Sequence, residues 1–302
     1  MTIAITGGTG FVGQSLIDLA LEGGIAVKAL ARKPQPPREG VEWIAGGLDN
    51  RAALMRLMQG VEAVIHVAGV INAADAQEFE AGNVTGTLDV IESALASGVP
   101  RMVFVSSLSA REPDLSAYGA SKARAEALVQ ASGLDWTIVR PPAIYGPRDR
   151  ETLELFRMAK WRLFATPEAG AASLLHVEDL ARLLLALVPG GSAVSYKTFE
   201  PDDGRPGGWT HYEMARAIGW AVGTRPKVIP LSRRTLEWAA KADSFFRGRR
   251  AKLSLDRVGY MTHPDWVVRP EARAPEAVWR ATVETREGLK ATARWYREQR
   301  WL

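Results

Sequence analysis

The sequence predicts an α/β fold in which helices cover both faces of a doubly wound parallel sheet. Apolar runs alternate with amphipathic segments, and glycines follow those segments as helix C-caps do. The predicted strands are residues 3–6, 27–30, 41–45, 63–67, 101–106 and 136–140. The predicted helices include residues 15–21, 52–58, 85–96 and 121–132, with glycines at 23–24, 60, 98 and 133. Repeated β–α–β units of this length indicate a parallel sheet.

The first strand leads into a glycine-rich turn at residues 6–13 (TGGTGFVG), and a helical pattern follows. Gly7 permits a tight turn, Gly10 leaves room for a phosphate, and Gly13 lets the helix pack on the strand. The N–H groups of the helix N-terminus then face an anion. This context predicts a Rossmann-type dinucleotide site, although an ordinary glycine-rich βα loop is the alternative.

Composition limits the classes of protein to consider. The chain has 302 residues, 47% of them apolar, and contains no cysteine, which excludes disulfides and thiolate metal sites. Its four histidines lack metal-ligand spacing, so no metal is expected. The N-terminus enters a strand at once, and the apolar runs are too short to cross a bilayer. We therefore expect a soluble, cytoplasmic protein.

Charge is distributed unevenly along the chain. Residues 201–302 contain 20 Lys and Arg against 12 Asp and Glu, whereas the first 200 residues contain 18 against 22. This basic part suggests an anionic small-molecule substrate, an acidic partner or a membrane surface; a solvated basic face is equally compatible. No nucleic-acid partner is expected, because the arginines are scattered and no recognition motif accompanies them.

One basic segment, residues 231–252, also carries Leu236, Trp238, Phe245 and Phe246. Three interpretations remain open for this segment. It could contact an anionic membrane peripherally, cover a substrate as a lid, or simply form a packed helix.

A group of polar residues follows the predicted strand 101–106. Ser107 stands at the strand end, and Tyr118 and Lys122 are four residues apart at the start of a helical segment. That spacing puts both side chains on one helix face. An ammonium near a phenol favours the phenolate and lowers the phenol pKa, which makes Tyr118 a candidate general acid/base. Ser107 could hydrogen-bond the same substrate oxygen.

These motifs together resemble the short-chain dehydrogenase/reductase superfamily, in its extended or atypical branch of NAD(P)-dependent epimerase/dehydratase-like proteins. The matching segments are 6–13 (TGGTGFVG), 66–69 (HVAG), 83–87 (NVTGT), 103–107 (VFVSS), 118–122 (YGASK), 140–147 (RPPAIYGP) and 176–180 (HVEDL). They cover residues 1–190 in the order that the superfamily has.

The resemblance implies roles for particular residues. Tyr118 would be the acid/base, Lys122 would bind the nicotinamide ribose, and Ser107 would orient the substrate oxygen. Asn83 would hold a helix and a water near the lysine. The residues implied for cofactor binding are Gly7, Thr9, Gly10, Phe11, Val12, Gly13, Arg32, Leu48, Asp49, Val67, Ala68, Gly69, Tyr118, Lys122, Pro141 and Ile144.

The sequence departs from the superfamily pattern in three places. Ser107 and Tyr118 are only eleven residues apart, a spacing similar to the group that includes the NADPH-binding accessory subunit of respiratory complex I. Residues 46–49 read GGLD, so adenine recognition would use the Leu48 backbone or Asp49. The C-terminal part matches no sugar-binding pattern.

The residues after the second strand bear on cofactor choice. NAD specificity usually needs an acidic residue there, whereas this chain has Arg32 and Lys33. Two cations favour a 2′-phosphate, so we expect NADP(H) over NAD(H). Ordinary loop charges are the alternative.

The sequence therefore predicts a Rossmann core at residues 1–190 and a small C-terminal substrate lobe at 191–302, with a loop at 145–175 contributing to that lobe. The expected activity is an NAD(P)(H)-dependent oxidoreductase or epimerase/dehydratase acting on a hydroxyl or carbonyl group of a nucleotide sugar or another small molecule. The alternative is a catalytically silent NADPH-binding scaffold or redox sensor. The resemblance also suggests a homodimer.

Overall fold

The computed structural model of the protein describes residues 1–73, 75–248, 251 and 253–302. Its strands are β1 Thr2–Thr6, β2 Ala26–Ala31, β3 Val41–Ala45, β4 Ala63–His66, β5 Arg101–Val105, β6 Asp135–Val139, β7 Ala143–Tyr145, β8 Leu163–Pro167, β9 Ala171–Ala172, β10 Leu174–His176, β11 Lys197–Phe199, β12 Trp209–Thr210, β13 Lys227–Leu231 and β14 Asp265–Trp266. Its α-helices are α1 Phe11–Glu22, α2 Arg51–Met58, α3 Ala76–Phe79, α4 Gly86–Ala96, α5 Ala117–Ala131, α6 Leu153–Lys160, α7 Val177–Ala186, α8 His211–Val222, α9 Arg233–Arg247, α10 Leu255–Met261 and α11 Thr285–Glu298.

The central sheet contains seven of these strands in the order β11-β6-β5-β4-β1-β2-β3, and all its neighbouring pairs are parallel. This is the doubly wound Rossmann order with β11 added at one edge, so the predicted fold class is confirmed. The strand order reverses between β1 and β4, where Thr6 pairs with His66. Ligands of such sheets bind at this reversal, beyond the carboxyl ends of the strands.

The inner strands form the core because helices cover both of their faces. Every residue of β4 and β5 is buried. Residues such as Val64, Met102 and Phe104 have no exposed surface and belong to one apolar cluster. A strand that is buried on both faces consists almost entirely of apolar residues. The apolar runs in the sequence therefore predicted these strands.

The chain divides into two compact units, each made of non-contiguous segments. The first comprises Met1–Pro141, Leu180–Glu200 and Ala272–Arg280 and contains the seven-stranded sheet. The second comprises Pro142–Asp179, Pro201–Glu271 and Ala281–Leu302.

The second unit has its own apolar core, which includes Phe156, Trp209, Leu289 and Tyr296. Residues 145–175, expected to be an irregular loop, instead contain α6 and short strands. Their pairing is long-range: β8 pairs in parallel with β13, for example, with Leu163 opposite Lys227. β8 is only partly buried, so it lacks the continuous apolar run that marked the strands of the central sheet.

The described helices include none with the length and apolar character that a bilayer crossing requires. In the basic segment 231–252, α9 occupies Arg233–Arg247. Residues 249, 250 and 252 of that segment lie outside the described residues.

Candidate active site

The turn after β1 forms a narrow backbone cradle at the N-terminus of α1. Gly7 has a φ of +73°, and the Gly10 N–H donates a 2.9 Å hydrogen bond to the Gly7 carbonyl. A Cβ on Gly7 would lie 2.7 Å from the Ala68 nitrogen, and a Cβ on Gly13 would lie 2.1 Å from the Gly7 carbonyl oxygen. Both contacts are with backbone atoms, so only glycine fits at these two positions.

The start of α1 offers backbone N–H donors of the kind that bind a diphosphate. Gly10 is the N-cap of α1 and provides no side-chain cap. The first-turn N–H groups of any α-helix, here starting at Phe11 and Val12, have no partner within the helix. Thr9 is exposed beside them. The residues present therefore fit the diphosphate of a dinucleotide.

A hydrogen-bonded chain below the cradle fixes the adjacent segment 67–69. The Ala68 N–H donates to Thr6 Oγ1 at 3.2 Å, and Thr6 Oγ1 lies 2.6 Å from Nδ1 of His66. The Nε2 atom of His66 lies 3.0 Å from Thr87 Oγ1, which itself donates to the Asn83 carbonyl. One arrangement satisfies all four bonds: a neutral His66 protonated on Nε2.

The buried position of His66 agrees with this protonation state. The ring has no exposed surface and stacks on Phe104 with centroids 5.5 Å apart. Burial, and secondarily the charge of Lys122, lowers the pKa of His66 to about 3. His66 is therefore a packed, neutral residue that holds the Ala68 backbone beside Gly7.

The residues predicted to surround the adenosine lie after β2 and β3. Arg32 is exposed, and its Cγ would lie 3.8 Å from a Cβ on Gly47. Asp49 is also exposed and close to Gly47, whereas the Leu48 side chain packs against Gly86 at the start of α4. The stem of Arg32 and the carboxylate of Asp49 thus both lie beside Gly47.

Two 3₁₀ turns, Leu108–Arg111 and Pro113–Leu115, span the short connection between Ser107 and Tyr118. Ser107 caps the first turn by accepting a hydrogen bond from the Ser109 N–H at 3.1 Å. Ser116 caps α5 through the Gly119 N–H at 2.9 Å, and Tyr118 follows in the first turn of that helix. The eleven-residue spacing therefore corresponds to an ordered connection.

Lys122 is buried one turn after Tyr118. Its Nζ donates a 2.8 Å hydrogen bond to the Val105 carbonyl and lies 4.6 Å from the centroid of the Phe104 ring. A Cβ on Gly69 would lie 3.6 Å from the same Nζ, so the ammonium adjoins the segment 67–69. Burial lowers the pKa of Lys122 to about 8, and the charge of Glu126 opposes this shift.

Asn83 connects the segment after β4 to α5. Its Oδ1 accepts from the Val70 N–H at 2.6 Å, and its Nδ2 donates to Ser121 Oγ at 2.9 Å. Ser121 Oγ in turn donates to the Tyr118 carbonyl at 2.8 Å. Asn83 lies in a π-helical turn, Glu80–Thr85, a distortion that frequently occurs at functional sites.

Pro141 and Ile144 fall in different units. The Pro141 carbonyl accepts a 3.0 Å hydrogen bond from the Leu108 N–H, next to Ser107 in the first unit. Ile144 lies in β7 of the second unit, opposite Leu175 of β10.

Sequence reasoning did not identify a buried charged network beside Lys122. Glu126, only 3% exposed, accepts hydrogen bonds from Ser106 Oγ at 2.5 Å and from Arg140 at 2.6 to 3.2 Å. Arg140 also lies 3.5 Å from the buried Glu200, and its bonds to Glu126 raise the pKa of its guanidinium. The spacing of Lys122 and Glu126 was the available signal, but exposed helix faces show it equally often.

Comparisons with known proteins agree with this fold and with a dinucleotide-binding family. A family model described as NAD(P)H-binding matches residues 7–188. The chain is 35% identical to the ceramide reductase of Caulobacter vibrioides, over 99% of this chain and 96% of that protein. It is 32% identical to the 4-hydroxy-2-methyl-3-oxo-4-farnesyl-3,4-dihydroquinoline-1-oxide ketoreductase of Stigmatella aurantiaca, over 68% of this chain and 69% of that protein.

Among solved structures, MoeE5 in complex with UDP-glucose and NAD has the same fold, with a TM-score of 0.76, 22% identity and 99% of both chains covered. The protein belongs to the NAD(P)H-binding family of extended short-chain dehydrogenases/reductases. It is an NAD(P)-dependent enzyme of the reductase and epimerase type.

Proposed function

We propose that the protein is an NADPH-dependent ketoreductase whose substrate is a lipid-like molecule with an oxo group and a long apolar chain. The observation that carries this proposal is the similarity to ceramide reductase, which extends over 99% of the chain. The NAD(P)H-binding family model ends at residue 188, so this similarity also includes the part of the chain beyond that model. Substrate-determining residues are expected in that part.

The second relative supports the same substrate class. That protein is a ketoreductase of a molecule with both a 3-oxo group and a farnesyl chain. Ceramide is likewise a lipid with long hydrocarbon chains. Both relatives are therefore reductases named for molecules with extended apolar parts, which favours carbonyl reduction over sugar epimerisation.

Ser107, Tyr118 and Lys122 supply the proton chemistry in this proposal. Bound NADPH would supply the hydride that reduces the carbonyl carbon. The Tyr118 hydroxyl would donate its proton to the carbonyl oxygen as the C=O double bond becomes a C–OH single bond. The Ser107 hydroxyl would donate a hydrogen bond to that oxygen and stabilise its developing negative charge.

Lys122 acts on Tyr118 through its charge. A buried ammonium one helical turn from a phenol stabilises the phenolate and so lowers the tyrosine pKa. The 2.8 Å bond from Nζ to the Val105 carbonyl supports a fixed ammonium position. The proximity of Nζ to Gly69 supports its predicted contact with the nicotinamide ribose.

Arg32 supports NADPH over NADH. It follows β2 directly, its guanidinium is exposed, and its stem lies close to Gly47. A guanidinium here could pair with a 2′-phosphate, and such charge-assisted hydrogen bonds discriminate by about tenfold or more.

The proposal is tested by mixing the purified protein with NADPH and one of three substrates: a long-chain 3-oxo lipid amide, a short 3-oxo ester, or UDP-glucose. We expect stoichiometric NADPH oxidation with the 3-oxo compounds, highest kcat/KM for the long-chain lipid, and about tenfold lower efficiency with NADH. Epimerisation of UDP-glucose without net cofactor oxidation, or no turnover of any ketone, would contradict the proposal.

A further inference from the structure

The outer face of α9 exposes three large aromatic side chains. Trp238 is 73% exposed, and Phe245 and Phe246 are each 82% exposed. The two phenylalanine rings are in edge-to-face contact with their centroids 5.3 Å apart. Exposed aromatic surface of this extent is unusual for a helix that is merely packed on its own protein.

Two of these aromatic residues, Trp238 and Phe245, lie opposite the packing face of α9, whereas Phe246 lies about 80° from Leu236, at the side of the helix. Leu236 and Ala240 are buried and form a small cluster with Val258 of α10. Successive residues of an α-helix are rotated by about 100°, so Trp238 and Phe245 lie within about 20° of each other and about 160° or more from Leu236. The helix therefore packs through one face and presents a second apolar face to solvent.

Basic side chains border the aromatic face. Arg234 and Lys241 are exposed on the same side of the helix, and the Lys241 Nζ lies 5.4 Å from the centroid of the Trp238 ring. Further round the helix, Arg233 and Arg247 form ion pairs with Glu237 and Asp243. In the sequence, residues 231–252 contain seven basic residues and two acidic ones.

The exposed aromatic side chains and the basic side chains beside them together indicate the chemistry of the partner. Phenylalanine is stabilised when it leaves water, tryptophan favours the headgroup level, and lysine and arginine attract anionic headgroups. A protein partner would need an acidic rim around an apolar groove, whereas an anionic bilayer offers both properties at any point of its surface. The fifteen-residue α9 is too short to span a bilayer but suits the interface.

We infer that α9 docks the protein onto an anionic lipid bilayer, with Trp238, Phe245 and Phe246 inserted among the headgroups and Arg234 and Lys241 contacting lipid phosphates. The lipid substrate class rests on the proposed function and gives the docking a purpose: a water-insoluble substrate is reached from the membrane surface. The docking itself depends only on the face of α9.

Flotation with lipid vesicles tests this inference. We expect the wild-type protein to bind vesicles of equimolar phosphatidylcholine and phosphatidylglycerol, to bind phosphatidylcholine vesicles weakly, and to lose anionic binding as salt increases. The double variant Phe245→Ser/Phe246→Ser should bind anionic vesicles at least about tenfold more weakly than the wild type does. Trp161→Ser is the matched control, because Trp161 is 80% exposed on a different element.

Equal binding of the double variant and the wild type would overturn the inference, as would absence of binding to anionic vesicles. A concentration-dependent dimer that disappears in the double variant, without vesicle binding, would instead assign the face to a second copy of the chain. Reduction of a short, water-soluble 3-oxo ester should be unchanged in the double variant. If that ester is not reduced by any variant while vesicle binding persists, only the proposed function fails.

Discussion

At the scale of single residues, the most informative group is the buried carboxylate of Glu126. It lies between the guanidinium of Arg140 and the hydroxyl of Ser106, and its charge keeps the pKa of Lys122 from falling further. The polar groups around Lys122 therefore determine over which pH range the ammonium stays charged. We treat Glu126 as a positioning residue that acts through Lys122.

Glu126→Gln should shift the pH dependence of reduction. Lys122 is charged below its pKa of about 8, so activity that needs the ammonium falls as the pH rises through that value. Removal of the neighbouring negative charge lowers the pKa of Lys122. The alkaline limb of kcat/KM is therefore expected to move to lower pH by about one unit.

The matched control for this variant is Glu80→Gln, which removes an exposed ion pair between Glu80 and Arg124 of α5. Such pairs contribute about 0 to 1 kcal/mol, so neither stability nor the pH profile should change noticeably. Circular dichroism and thermal unfolding check that Glu126→Gln remains folded, because Arg140 loses its ion pair with Glu126 and this costs stability. An unchanged alkaline limb in a folded Glu126→Gln protein would refute the role assigned to Glu126.

At the scale of elements, the glycine turn packs so tightly against the start of α1 that it leaves no space for a side chain at Gly13. The Gly13 Cα faces the Gly7 carbonyl so closely that a methyl group has no space. The sequence identified this turn because its function requires three glycines in a fixed order between a strand and a helix. The strands that it did not identify, such as β8 and β11, are only partly buried, so no continuous apolar run marks them.

Gly13→Ala should weaken cofactor binding through the backbone alone. The new Cβ would lie 2.1 Å from the Gly7 carbonyl oxygen and 2.7 Å from the Gly8 Cα, so the cradle must widen or shift. We expect NADPH affinity to fall by about tenfold or more and the free energy of unfolding to fall by about 1–3 kcal/mol. Fluorescence titration with NADPH and chemical denaturation measure the two effects.

Gly23→Ala serves as the control at the other end of α1. Gly23 has a φ of −81°, and a Cβ there would make contacts of 3.4 Å and longer, which are ordinary. This variant should bind NADPH like the wild type. If Gly13→Ala also binds NADPH with wild-type affinity, the tight packing of residue 13 against the Gly7 carbonyl is not needed for cofactor binding.

At the scale of the whole molecule, the predicted strands were confirmed to within one or two residues because their apolar runs report burial on both sheet faces. The elements of the second unit were much harder to predict from the sequence. The segments of that unit are separated by returns of the chain to the first unit, at Leu180–Glu200 and Ala272–Arg280, and no local pattern marks those returns.

Only part of the candidate site could be predicted from the sequence, as was the case for the fold. Ser107, Tyr118, Lys122 and the glycines stand at spacings that chemistry and packing both constrain. Glu126 of α5, Arg140 after β6 and Glu200, which is 60 residues further along the chain, meet only in the fold, so their network has no sequence signature. Their assigned roles, like those of the predicted cofactor contacts, stay predictions until variants are measured.

The central claim is that Tyr118 transfers the proton during reduction, and the variant Tyr118→Phe tests it most directly. Phenylalanine keeps the ring that contacts Phe79 at a centroid distance of 5.9 Å and removes only the hydroxyl. Measured with the long-chain 3-oxo lipid, kcat should fall by about 100-fold or more while the dissociation constant for NADPH stays unchanged. Wild-type kcat in Tyr118→Phe, with NADPH bound normally, would contradict the claim.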